Sequence, residues 1–127
     1  MSRKQSFFLC EICGNLVGMI DNGSEPLVCC GKPMKELKAN STDAAQEKHV
    51  PVVTVSGEKC KVSVGSAPHP MTEEHLITWV YLKTERGGQR KILKAGEAPE
   101  VVFGVYEDKP EAVYAYCNLH GLWMAEI

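Results

Sequence analysis

The chain has 127 residues, 14 Lys and Arg against 16 Asp and Glu for a formal charge of −2, and 44% hydrophobic residues. That length suits one domain with room for a small satellite, and the composition is that of a folded globular protein rather than a disordered one. The slightly acidic balance gives no general attraction to nucleic acid or to an anionic membrane, and no apolar run approaches the roughly 20 residues that span a bilayer.

The first apolar stretch, Phe7-Phe8-Leu9, is broken at once by Cys10 and Glu11. It is too short for a secretory leader, so a cytoplasmic protein is expected. In a reducing compartment the six cysteines are thiols or metal ligands rather than a disulfide framework. Residues 1–37 read as a cysteine-rich head, in which Met19-Ile20 and Leu27-Val28 flank the turn signal Asp21-Asn22-Gly23-Ser24 as a small hairpin. A piece of this size buries too little surface to fold alone and calls for a metal or a partner chain. Cys10-x-x-Cys13 followed by Cys29-Cys30 supplies four soft sulfurs, enough to enclose a tetrahedral ion. Spacing does not choose between zinc and iron, and the adjacent pair predicts a distorted site. The plain alternative is a set of reduced structural thiols.

Residues 38–47 are polar and read as a linker, with a short helical turn begun at Ser41 or Thr42. From residue 48 the pattern turns to β. Apolar or alternating runs at 50–55, 59–64, 76–82, 89–93, 100–105, 112–116 and 121–127 are separated by turn signals such as Ser56-Gly57, Arg86-Gly87-Gly88 and Asp108-Lys109-Pro110. Short strands at this spacing predict a mainly β protein whose body, 48–127, is an immunoglobulin-like antiparallel β-sandwich. Cys60, alternating with lysines, reads as a half-buried structural thiol, and Trp79, Trp123 and the tyrosines as packing residues.

His49, His69, His75 and His120 all fall on loops or strand ends, where a rigid sandwich carries function. His69 is held extended between Pro68 and Pro70, and Cys117 stands three residues before His120. Each histidine alone reads as an ordinary surface or core residue; together with Cys117 they form a donor set. Four imidazoles and a thiolate exceed what tetrahedral zinc uses. They suit iron with four nitrogens in a plane, an axial sulfur and one free position for a small redox-active oxygen species.

At these residues the chain resembles the desulfoferrodoxin family, the two-iron superoxide reductases. The head is similar to the desulforedoxin type, and Glu47-Lys48-His49-Val50-Pro51, His69-Pro70-Met71 through His75, and Cys117-Asn118-Leu119-His120 match the family's body motifs. No ligand position departs from the pattern. The resemblance implies two mononuclear non-haem irons: an FeCys4 centre on Cys10, Cys13, Cys29 and Cys30, and an Fe(His)4Cys centre on His49, His69, His75, His120 and Cys117. It also implies one-electron reduction of superoxide to hydrogen peroxide without release of O2, reduced rubredoxin or a similar electron donor, and a homodimer. Lys48, next to a ligand, is expected to attract the anion and stabilise the charge that develops on it. The resemblance gives Glu47 the vacant iron position in the oxidised resting state. The rival readings are a zinc-knuckle binding module and a pure electron carrier; metal content separates the first and reactivity with superoxide the second.

Overall fold

The structure, a computed structural model, describes residues 5–127, which fall into two compact units with the boundary between Lys38 and Ala39. In the head, β1 (Phe7–Leu9) pairs antiparallel with β2 (Leu16–Gly18). Strand β3 (Val28–Cys29) pairs with β4 (Lys32–Pro33), and β5 (Lys35–Glu36) returns to the other side of β1. The expected hairpin around Asp21–Ser24 does not form, because the segments flanking that turn pair elsewhere. Two tighter closures win. Cys10 N–H donates to Asn15 O at 2.8 Å and Gly14 N–H to Cys10 O at 2.9 Å, which folds β1 onto β2. Cys30 and Gly31, with φ of 53° and 74°, make a two-residue turn between β3 and β4. Such a turn matches the strand twist and closes the shortest loop.

The polar segment after the head also differs from expectation. No helical turn starts at Ser41 or Thr42; the one turn present is α1 (Gln46–His49), preceded by Ala45 without a side-chain cap. Asn40 instead lies along the edge of the last strand. Its side chain accepts from Met124 N–H at 2.8 Å and donates to Met124 O at 3.1 Å, and its N–H donates to Leu122 O at 3.0 Å. Satisfying that edge outweighs the weak local helix preference, since an unpaired edge strand exposes a row of polar backbone groups.

The body has seven strands, as expected. β6 (Pro51–Ser56), β7 (Lys59–Val64) and β10 (Glu100–Gly104) form one sheet in the order β10-β7-β6. β8 (Ile77–Thr84), β9 (Gly87–Ile92), β11 (Pro110–Cys117) and β12 (Gly121–Glu126) form the other in the order β12-β11-β8-β9. All pairings are antiparallel. Cys60, Val62 and Val64 on β7, Val80 and Leu82 on β8, Phe103 on β10, and Val113, Ala115 and Cys117 on β11 share one core, so the two sheets close as a sandwich. The period-two alternation is clear on β7, where Lys59 and Lys61 face out between buried neighbours. Gln89 and Lys91 on β9 donate to the carbonyls of Gly104 and Val102, both at 2.6 Å, and so cover the free edge of β10. Cys60 is fully rather than half buried, and burial pushes its thiol pKa up, the mark of an inert core cysteine.

Candidate metal centres

In the head, the four cysteine sulfurs lie within 4.8 Å of one another. Cys13 Sγ is 3.6 Å from Cys29 Sγ, close to the roughly 3.8 Å that separates sulfurs bound to one tetrahedral ion. The left-handed φ of Cys30 explains how adjacent cysteines serve one site, since it turns the second side chain back toward the first. The thiols are strongly polarised against one another. Backbone N–H groups of Cys13 and Ile12 hold the Cys10 thiol down at about 6, whereas hydrogen bonding to the Cys13 and Cys10 sulfurs pushes Cys30 up to about 12. Only a cation among the four sulfurs would hold all of them as thiolates at this spacing.

The body donor set is assembled from four separate places. His49 ends α1, His69 follows the β7 turn, His75 precedes β8, and Cys117 and His120 bracket the hairpin between β11 and β12. Cys117 follows Val113 and Ala115 in the inward phase of β11, which places its sulfur at the end of the core, fully buried. Gly121, at φ 80°, lets the chain turn from β11 to β12 in three residues and so holds His120 close to Cys117.

The four imidazoles form a near-square. Ring centroids are 4.7 Å apart for His49–His69, 4.7 Å for His69–His75, 5.0 Å for His75–His120 and 4.9 Å for His120–His49. The His49–His75 separation of 6.5 Å is close to the diagonal of a square on those sides. Neighbouring rings are nearly perpendicular, at 75–87°, so each turns an edge to the centre. His49 Nε2 stands 3.1 Å from His120 Nδ1 and 3.2 Å from His69 Nε2. Metal–imidazole bonds of about 2.0–2.1 Å at right angles put neighbouring nitrogens about 3 Å apart. Cys117 Sγ lies 3.8 Å from His120 Nδ1, and its sulfur falls within 4.8 Å of the ligand nitrogens of His49, His69 and His75.

The outer nitrogens decide what these inner ones carry. His49 Nδ1–H donates to Ala45 O at 2.7 Å and His69 Nδ1–H to Pro70 O at 2.6 Å. Both bonds dictate the tautomer with a bare Nε2 lone pair facing the centre. His75 Nε2 is buried without a hydrogen-bond partner. Two lone pairs at 3.2 Å and an orphaned nitrogen beside them repel unless a cation sits between them, so the residues fit a metal ion. Burial holds His69 well below the usual imidazole range, at about 4, with the other three imidazoles adding to the effect and the Pro70 carbonyl opposing it. Burial likewise keeps His75 low, reinforced by the charges of His120, His49 and Lys48. Both are thus neutral near pH 7, the form a metal ligand needs.

Residues 41–126 match the family profile described as Desulfoferrodoxin, and residues 2–37 the profile described as Desulfoferrodoxin, N-terminal domain. The chain belongs to the desulfoferrodoxin family. A desulfoferrodoxin from Syntrophotalea carbinolica is 45% identical over 126 residues, 99% of either chain. A superoxide reductase from Pyrococcus horikoshii is 40% identical over 105 residues, covering 68% of this chain and 91% of its own. The crystal structure of the superoxide reductase from Treponema pallidum shares 43% identity over 97% of this chain and 99% of that one, with a TM-score of 0.81. In this family setting the two donor sets are two iron centres, one of four sulfurs in the head and one of imidazoles and a thiolate in the body.

Lys48 and Glu47 are exposed on α1, and Lys48 is near enough for its charge to bear on His75. Two neighbours of the body centre have no expected role there. Asn118 clips the Cys117–His120 hairpin to the His75 segment: its side chain accepts from Leu76 N–H at 3.0 Å and donates to Glu74 O at 2.9 Å, and its N–H donates to Leu76 O at 3.2 Å. Trp123, read from the sequence as a packing residue, stacks on His49. Asn118 stood within a recognised motif, but nothing in the pattern of β12 points to Trp123.

Proposed function

We propose that the chain reduces superoxide to hydrogen peroxide at the body centre, held by His49, His69, His75, His120 and Cys117. The observation that carries this reading is the imidazole square with Cys117 beside it, a donor set richer than a closed structural zinc site uses. Iron bound there in the ferrous state supplies one electron, which together with two protons converts superoxide to H2O2. The chain's own residues do the rest. Carbonyls of Ala45 and Pro70 fix the tautomers of His49 and His69 so that each turns a bare Nε2 to the metal, His75 and His120 complete the square, and Cys117 provides the thiolate. A thiolate ligand donates electron density and favours transfer to a bound oxygen species.

Cys117 is fully buried at the end of the core while His75 and His120 are partly exposed, so the anion reaches the face of the square away from the sulfur. Lys48 draws it in and stabilises the charge that grows on it. Glu47, beside it on α1, is the carboxylate available to the metal in the oxidised enzyme. Reduced rubredoxin or a similar one-electron carrier returns the electron, the head centre relays electrons or stabilises a homodimer, and the protein works in the cytoplasm. The test is the stoichiometry of the reaction. Mixing reduced, iron-loaded protein with superoxide should give one H2O2 per superoxide consumed and no O2. Half that yield with O2 released would show dismutation, and no consumption would leave a metal-binding module or an electron carrier.

A further inference from the structure

Trp123 lies at the centre of β12, opposite Ala115 of β11, and is 1% exposed. Its indole does two things at once. It stacks on the His49 ring at a centroid distance of 4.7 Å and an angle of 28°, and its Nε1–H donates to the backbone carbonyl of His120 at 3.1 Å. His49 and His120 are neighbours on the imidazole square, with donor nitrogens 3.1 Å apart. They arrive from distant parts of the chain, one at the end of a single helical turn and the other in a three-residue hairpin. A buried tryptophan has few accessible rotamers, and here both its face and its polar edge are engaged. The other two imidazoles are steadied differently. His69 bonds to Pro70 O, and the His75 backbone bonds to Thr72, whose hydroxyl accepts from His75 N–H at 3.1 Å.

We infer that Trp123 is a positioning residue of the body centre, setting one side of the square by stacking on His49 and anchoring the backbone of His120. It touches neither metal nor substrate and acts through two ligands. A group behind the ligands of this kind sets metal affinity and the electronic character of the site, commonly by about 10–100-fold in affinity. The inference rests on the iron-centre reading of the same five residues.

The experiment compares Trp123→Phe, which keeps an aromatic face against His49 and removes the N–H, with Trp123→Leu, which removes both. Iron affinity of the body site is read by chelator competition, and the site itself by its thiolate-to-iron absorption band. The head centre serves as an internal reference that should not change. Trp123→Phe is expected to bind iron about tenfold more weakly with a shifted band, and Trp123→Leu more weakly still. Parent-like affinity and band position in both variants would overturn the inference. So would a loss confined to Trp123→Leu, which would leave the bond to His120 without effect. If Trp123→Leu fails to fold, Trp123→Phe decides alone. A parent chain that binds no second iron would sink the site reading itself, a different outcome from a loaded parent with indifferent variants.

Discussion

Lys48 sits beside a ligand without being one, exposed on α1. The contribution proposed for it is therefore electrostatic and sensitive to salt. Lys48→Ile should slow superoxide consumption about tenfold at low ionic strength and flatten the salt dependence, as measured by pulse radiolysis or stopped flow. An unchanged rate removes Lys48 from the mechanism. Cys117→Ser replaces a soft sulfur by a hard oxygen at a fully buried position, and should abolish the thiolate-to-iron band of the body centre. At this scale the donors were legible because few side chains bind iron, so each Cys and His near a turn carried information. Trp123 was not, because a tryptophan in a strand looks the same in sequence whether it packs on valine or on a metal-binding imidazole.

The short elements of the head show what local signals can and cannot decide. Asp21-Asn22-Gly23-Ser24 is a good turn sequence, yet the partners of its flanks were set by the cysteine knuckle and by the Cys30-Gly31 turn. In the described part of the head only Ser6, Phe7 and Cys10 are buried. Its fold accordingly depends on the metal: Cys13→Ser should unfold the head and remove its absorption while pre-reduced body iron still consumes superoxide. Circular dichroism and the superoxide assay check the two halves of that statement.

In the body, Asp108 pins the start of β11. It accepts from Thr84 Oγ1 at 2.6 Å, from Lys109 N–H at 2.8 Å and from Arg86 N–H at 3.1 Å, and the Thr84 bond above all holds its carboxyl below the usual range. Because the folded-state pKa is the lower one, the contribution is complete above the ordinary carboxylate range and disappears as pH falls through the folded value. Asp108→Ala should melt below the parent at pH 7, and the two melting temperatures should converge in acid.

Across the whole molecule, the strand count and sandwich were readable because hydrophobic alternation and turn residues repeat seven times, and one misplaced boundary leaves the pattern intact. Sheet membership was not readable: nothing local says that β9 joins β8 while β10 crosses to β7. Those pairings come from closing one shared core. Phe103, fully buried within it, should cost about 3–5 kcal/mol of stability when replaced by alanine, measured by denaturant unfolding of the metal-loaded chain. The same closure brings His49, His69, His75 and the Cys117–His120 hairpin to one place. X-ray absorption on the reduced, iron-loaded Cys13→Ser chain, in which only the body iron remains, tests that convergence most directly. Four nitrogen scatterers and one sulfur around a single iron is the predicted result; a shell without sulfur, or with fewer imidazoles, would contradict it.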